Sequence, residues 1–308
     1  MRYLFWSGIA TLALLSYGCS STPSPAPEPP SLTPPVNADT TITNSPNSSN
    51  AEKLEIKITV LPDNVSEERT ARIELLQTYL REILEQPVTV IESTSYEDTV
   101  AKIVDGTVNV AYLGPLTYIK AKAQNETIEP LVAPIDESSG RPWYTSVVVG
   151  KKNIQSLEGL RGKKFSFVSD SSTSGFLVPN NEMQTLGIDP ERDFASLDYS
   201  GAHDKNLDLL IEEQVDAIAV DHATYQEGVD SGKLDTDKFH VVWESDPIPN
   251  SPITASGDIP EDMKLALQRA FIDAPEGLVS VGVTEAKGYT IVEDKDYDLI
   301  RELYQNKL

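Results

Sequence analysis

The chain has 308 residues, of which 48 are Asp or Glu and 25 Lys or Arg, giving a formal charge of −23. That length suffices for two compact domains, and the charge excludes a nucleic-acid partner, because no basic stripe is available to neutralise phosphates. Cys19 is the only cysteine, so no internal disulfide forms; His203, His222 and His240 lie far apart in sequence, so neither a metal nor a cofactor is expected.

Residues 1–18 read as a secretory signal: Arg2 supplies the positive start, residues 4–15 are apolar, and the small Gly18 precedes Cys19. The apolar stretch is too short to span a bilayer comfortably. Cys19 sits where bacterial lipoproteins carry a diacylglyceryl group, although Ser16 stands where the usual box has Leu and Tyr17 is bulky for its place. Lipidation of Cys19 is the expectation, with a plain signal peptide and a free thiol as the alternative; such an anchor tethers a protein to a membrane without crossing it. Residues 20–50 are rich in Ser, Thr, Pro and Asn, cannot offset their ordering entropy by burial, and read as a semi-extended leash.

From residue 51 strand-like and helix-like segments alternate, the pattern of an α/β protein with mainly parallel sheets. Residues 54–61 alternate as a strand, and 67–84 carry Ile73, Leu76, Leu80, Ile83 and Leu84 on one helical face. A strand at 87–91 leads to a helix at 96–104, and a strand at 108–113 runs through Gly114 and Pro115 into a helix at 116–123, which reads as two successive β-α-β crossovers. A polar break at 136–142 marks a crossing into a second domain. There the pattern gives strands at 144–150 and 163–169, a helix to about residue 186, a strand at 194–197, a helix at 202–213 and a strand at 215–220. The Pro-rich break at 246–252 marks the return, and helices at 261–272 and 296–304 complete the first lobe. Lobe 1 is therefore 51–138 with 248–308, lobe 2 is 139–247, and two crossings make a hinge. No internal repeat recurs at a fixed period.

The densest chemical signal is the run from Asp170 to Gly175, which follows a strand and opens a helix. Free backbone N–H groups, the positive end of the helix dipole and the hydroxyls of Ser172, Thr173 and Ser174 can together surround a tetrahedral oxyanion. Gly175 lets the backbone come close. An ordinary N-cap fits the same residues. The acidic surface does not exclude an anion, since carboxylates beyond about 8 Å are largely screened at physiological salt and a buried site is governed by its own dipoles.

Tyr96, Tyr144, the serine-rich run, His203 with Asp204, and Asp221 all fall where predicted strands end or helices begin, the place where open α/β sheets bind ligands. The segments AYLGPLTYIKAKAQ, PWYTSVVVGKK, LEGLRGKKFSFVSDSSTSGFLVP, YSGAHDKNLDLLIEEQVDAIAVD and SDPIPNSP, in that order, resemble the periplasmic phosphonate and phosphite binding proteins of ABC transporters over most of residues 52–255. The resemblance implies a two-lobed type II periplasmic binding protein fold, a monomer that closes on a small oxyanion ligand in its cleft and delivers it to an ABC transporter permease. It implies that Tyr96 and Tyr144 point hydroxyls at the ligand, that Ser172, Thr173 and Ser174 donate to its oxygens, and that His203 contacts another oxygen. As bland counterparts, the two tyrosines serve as packing aromatics and His203 as a helix cap. The chain departs from the family where an acidic residue often stands: here Ser251 lies between Asn250 and Pro252. Asp221 is the candidate to supply that carboxylate, and a small ligand such as phosphite, methylphosphonate or phosphate is expected.

Two other outputs use the same residues. A loaded lobe pair can present itself to a membrane histidine kinase as a sensor, or Ser172 or Ser174 can act as a nucleophile with His203 as base and Asp204 as orienter. The Gly-x-Ser-x-Gly elbow is absent, and an enzyme is not expected.

Overall fold

The computed structural model describes residues 53–62, 67–136, 139–275, 278 and 286–305. The signal-like segment, Cys19 and the leash lie outside them. In chain order the elements of the first half are β1 (Ile56–Val60), α1 (Glu67–Leu84), β2 (Val88–Glu92), α2 (Tyr96–Val104), β3 (Val110–Tyr112), α3 (Pro115–Gln124) and β4 (Glu129–Asp136). Then come β5 (Trp143–Tyr144), β6 (Ser146–Lys151), β7 (Lys164–Phe167), a π-helical turn (Thr173–Leu177), α4 (Val178–Thr185), α5 (Pro190–Asp193), β8 (Ser196–Tyr199), α6 (His203–Ile211), β9 (Ala217–Asp221), α7 (His222–Asp230) and β10 (Phe239–Glu244). The last part holds β11 (Ile248–Pro249), β12 (Ile253–Ala255), α8 (Glu261–Ile272), β13 (Ala286–Ile291) and α9 (Asp298–Gln305).

These strands, β5 and β11 apart, build two sheets. The first runs β13-β4-β12-β3-β1-β2 and the second β10-β6-β9-β7-β8. Each has a three-stranded parallel heart with its earliest strand in the middle: β1 pairs in parallel with β2 and β3, and β7 with β8 and β9. Each is then extended by an antiparallel strand, β12 beside β3 and β6 beside β9. The two halves thus share a plan of strand order that their residues do not repeat.

The successive crossovers predicted at the start are present, with β2 and β3 on either side of β1. In α1 the buried ridge is Leu76, Leu80 and Leu84, while Ile83 is 56% exposed. An i, i+4 ridge drifts about 40° per step around the helix, so by its last turn the buried face has rotated away from position 83. Apolar clusters cover both faces of each sheet: Ile56, Ile58, Leu80 and Phe271 on one side of the first, Ile103, Leu113 and Leu116 on the other; Phe165, Phe167 and Met183 on one side of the second, Val147, Leu207 and Leu210 on the other. Leu177, which ends the π-helical turn, and Val178, which opens α4, are buried in the same cluster as Leu116, Tyr118 and Tyr297.

The single strand expected at 144–150 is two. Tyr144 belongs to a short ribbon in which β5 and β11 pair antiparallel, Ile248 opposite Tyr144 and Pro249 opposite Trp143, so the two crossings of the chain hold each other. Asn250 pins the ribbon: its amide donates to Pro142 O at 2.9 Å, its Nδ2 to Pro134 O at 3.1 Å, and its carbonyl accepts the Tyr297 hydroxyl at 3.0 Å.

Candidate functional site

Beyond β7 the chain turns through Ser172, which holds extended backbone before the π-helical turn and accepts the Gly175 amide on its Oγ at 3.0 Å. Ser172 is therefore a helix cap, satisfying one of the turn's orphan amides. The amides of Thr173 and Ser174, at the head of the turn, have no intrahelical acceptor by geometry. All three hydroxyl residues are at most 3% exposed. A Cβ on Gly175 would meet Val168 Cγ2 at 2.5 Å and Ser172 Oγ at 2.8 Å. The glycine is thus required by packing of the turn on the end of β7, a reason different from the expected close approach to a ligand.

His203 opens α6 after Ala202, and that start has no side-chain cap, so the capping reading of His203 is corrected. Buried Asn206, one turn on, donates through Nδ2 to Ser166 O at 3.0 Å and Ala219 O at 2.9 Å, fixing α6 against β7 and β9. His203 is thereby aimed inward, with Nε2 3.5 Å from Ser172 Oγ and Nδ1 2.9 Å from Asp221 Oδ2. Asp221 ends β9 and caps α7, accepting the Thr224 amide at 2.8 Å and its hydroxyl at 2.9 Å. Burial pushes the Asp221 carboxyl up, but the His203 ring beside it and the Thr224 bonds outweigh that and hold it below the ordinary carboxylate range.

The orienter assigned to His203 in the hydrolase reading was Asp204, and the structure replaces it with Asp221. Consecutive helical residues point about 100° apart, and Asp204 Oδ1 accepts the Lys205 amide at 2.8 Å. Ser172, His203 and Asp221 have the residue types of a nucleophilic triad. The Ser172 oxygen, however, is committed to the Gly175 amide, and 3.5 Å to the ring is long for a hydrogen bond.

Facing this wall are residues from the ribbon and the first sheet. Burial raises the pKa of the Tyr144 hydroxyl well above its ordinary value despite hydrogen bonds to Ser174 and Thr173, which keeps it a neutral donor. Tyr96 is buried at the first position of α2, whose cap Ser95 accepts the Asp98 amide at 3.1 Å. The start of α3 has no cap of its own, because Gly114 has no side chain to offer. The Leu116 amide instead donates to Thr173 Oγ1 at 2.8 Å, across from the second sheet. A hydroxyl that accepts in this way keeps its own proton to donate.

Tyr144, Ser172, Thr173, Ser174, His203 and Asp221 thus form one connected group, and Tyr96 lies at a helix start of the first sheet. Ser251 is half-buried beside Asn250, whose Oδ1 accepts its amide at 2.8 Å. Among the described residues no hydrogen bond joins the Ser251 hydroxyl to the others. Sequence reasoning missed Asn206, for which a lone helical Asn gives no signal, and Thr224, for which Asp221 three residues earlier is a legible cap motif. No group of three or more His, Cys, Asp or Glu side chains converges to hold a metal ion among the described residues.

Two sheets of matching strand order, joined by a paired ribbon and carrying a hydroxyl-lined helix start against a bare one, define a two-lobed α/β binding protein. The chain belongs to the periplasmic substrate-binding proteins of phosphonate ABC transporters, whose family model matches residues 58–297. It is 27% identical over 282 residues to the phosphate-import protein PhnD of Mycolicibacterium smegmatis, covering 84% of this chain and 88% of that one. It is 22% identical over 266 residues to the probable ABC transporter phosphite binding protein PhnD1 of Prochlorococcus marinus, covering 80% and 88%. The fold matches the structure of that PhnD1 in complex with methylphosphonate, with TM-score 0.73 and 21% identity over 82% of this chain and 99% of the other. It also matches a phosphonate-transporter binding component from Pseudomonas aeruginosa, with TM-score 0.73 and 20% identity over 83% and 87%. The family is one of extracytoplasmic transport receptors, not enzymes. Among the described residues no helix is long and apolar enough to cross a membrane.

Proposed function

We propose that this chain is a lipid-anchored receptor that captures a small phosphorus oxyanion, phosphite, methylphosphonate or phosphate, between its lobes and hands it to the permease of an ABC importer. Cys19 carries the anchor and residues 20–50 hold the receptor clear of the membrane. Residues 51–138 with 248–308 move as one lobe and 139–247 as the other, the β5–β11 ribbon being the hinge. The relatives named for phosphate and phosphite support the ligand class.

The observation that carries this reading is the Thr173 hydroxyl, which accepts the Leu116 amide at 2.8 Å and so holds the two helix starts together. An anion at this junction receives donors from both sides: the amides of Thr173 and Ser174 and the hydroxyls of Ser172, Thr173 and Ser174, with His203, from lobe 2, the Tyr144 hydroxyl from the ribbon, and Tyr96 and Ser251 from lobe 1. The closed state therefore gains contacts that the open state lacks. Charge-assisted hydrogen bonds of about 1.5–3 kcal/mol each, offset by desolvation of the anion, give micromolar or tighter affinity without a metal. Asp221 acts through His203, fixing the ring, and also supplies the carboxylate that Ser251 does not.

Calorimetric titration of the full chain with phosphite, methylphosphonate, aminoethylphosphonate, phosphate and sulfate tests the reading. Saturable binding of at least one of phosphite, methylphosphonate or phosphate, with sulfate excluded, is expected. Absence of binding to all five overturns it.

A further inference from the structure

Just before the Ser172–Thr173 turn, a second set of contacts joins the two halves of the molecule. Ser171 is 1% exposed. Its Oγ lies 2.6 Å from Glu97 Oε1 of α2 and 2.7 Å from Lys120 Nζ of α3, both helices of the first sheet. Ser169 Oγ approaches the same Glu97 oxygen at 3.3 Å, and Lys120 Nζ reaches Asp170 O at 3.3 Å and Asp170 Oδ1 at 3.7 Å.

The chemistry of the arrangement is directional. A hydroxyl has one proton and two acceptor sites. Ser171 accepts from the ammonium and donates its proton to the carboxylate, so a single neutral side chain of lobe 2 sits between two opposite charges of lobe 1. Asp170 Oδ1, at 3.1 Å, competes for that proton from the same loop, and the Glu97 oxygen is nearer. The Glu97 carboxyl is raised by burial, but the hydrogen bonds from Ser171, its own backbone, Ser95 and Ser169 outweigh this and carry it below its ordinary value, so it stays an acceptor.

We propose that Glu97, Lys120 and Ser171 form a closure latch: positioning residues that do not touch the ligand but set how long it is held. The assignment deepens the receptor reading and rests on it. The latch lies two residues from Thr173, and both bridges run from the same turn to the helices of lobe 1, so the lobes separate only when both break. The latch is made in the closed arrangement with or without an anion; entry starts from the open arrangement and escape from the closed one, so it acts on escape more than on entry. Neighbouring α2 positions then divide the work, Tyr96 facing the cleft and Glu97 holding its rim.

The test uses the full chain, with methylphosphonate as probe and tryptophan fluorescence as the optical signal, since Trp143 lies in the hinge ribbon. Stopped-flow dissociation from Ser171→Ala, Glu97→Gln and Lys120→Met is expected to be about tenfold faster than wild type, the loss of about one charge-assisted bond. The association rate is expected to change less than about twofold, since most affinity tuning within one interface falls on dissociation. Lys120→Arg restores a dissociation rate near wild type, which a merely structural role for the lysine does not predict. Dissociation rates unchanged in all three variants overturn the latch. Hydrogen exchange at the Leu116 amide, measured without ligand, reads it independently: Ser171→Ala is expected to speed that exchange severalfold. If wild-type protein binds no anion the receptor reading falls, and the exchange result alone decides whether the latch stands; unchanged exchange overturns it.

Discussion

The two helix starts that face each other in the cleft are completed in opposite ways. The turn after Ser172 is capped from within, by a hydroxyl three residues away, and is packed so tightly on Val168 that only glycine fits at position 175. The start of α3 has glycine at its cap and borrows an oxygen, Thr173 Oγ1, from the other sheet. A self-capped start asks nothing of the other sheet. A borrowed cap lasts only while the two sheets stay in contact. Substitutions in the first kind of structure are therefore expected to read out in stability, and substitutions at the bridge in affinity.

The largest effect expected is Asp221→Ala. It strips the cap from α7 and takes the carboxylate from beside the His203 ring, a loss of about 2–3 kcal/mol from the cap and the lost side-chain hydrogen bonds together, measured by urea unfolding. The pH dependence has a defined sign. The Asp221 carboxyl is depressed in the folded state, so its contribution is fully present above the unfolded value of about 3.9 and fades as pH falls through and below it. Asp221→Asn flattens that part of the acid limb; an unaltered limb would mean that the pair adds nothing to folding.

Next comes Gly175→Ala, which forces a methyl against Val168 and costs about 1–3 kcal/mol by overpacking. Adding Val168→Ala removes the obstacle, so the double variant is expected to be less destabilised than the two singles sum to. Simple additivity in the same unfolding assay would show that the turn has room the static packing denies.

The same contrast explains what was legible in the sequence. The parallel hearts of both sheets announce themselves through apolar strands and amphipathic helices, and the self-capped turn lies in one uninterrupted run, because all of its determinants are local. Strands β4, β10 and β13 were not anticipated: β4 carries Pro130 and Pro134, and β13 has Gly288 and a register shift against β4, features that blur alternation. The pairing of His203 with Asp221 spans 18 positions and depends on β9 lying beside β7. Sequence adjacency pointed to Asp204 instead. Glu97, Lys120 and Ser171 are ordinary polar residues until the second sheet brings the serine to the other two.

Thr173→Val tests the bridge itself. It removes the oxygen that caps α3 and the proton left over for the anion, and at least about tenfold weaker binding is expected, the loss of one or two charge-assisted bonds, with the melting temperature nearly unchanged. Thr173→Ser keeps both roles and is expected to bind as wild type. A fall in stability without a fall in affinity would reverse the assignment of the two helix starts.

The smallest effect belongs to Ser251, whose hydroxyl has no hydrogen bond to the connected group among the described residues, while Asn250 beside it anchors the β5–β11 ribbon. Ser251→Ala is expected to cost about fivefold in affinity for methylphosphonate, the low end of what one hydrogen bond to the anion contributes, about 1 kcal/mol. Ser251→Asp is the sharper variant. A carboxylate there accepts a hydrogen bond from a monoprotonated ligand oxygen and repels a dianion, so phosphate, methylphosphonate and phosphite are each expected to lose affinity as pH rises through their last ionisation. Titrating the three anions against wild type and Ser251→Asp at pH 6 and pH 8 separates the walls: a rank order that changes with the substitution assigns selectivity to the first lobe, and one that does not leaves it with the serine-rich turn.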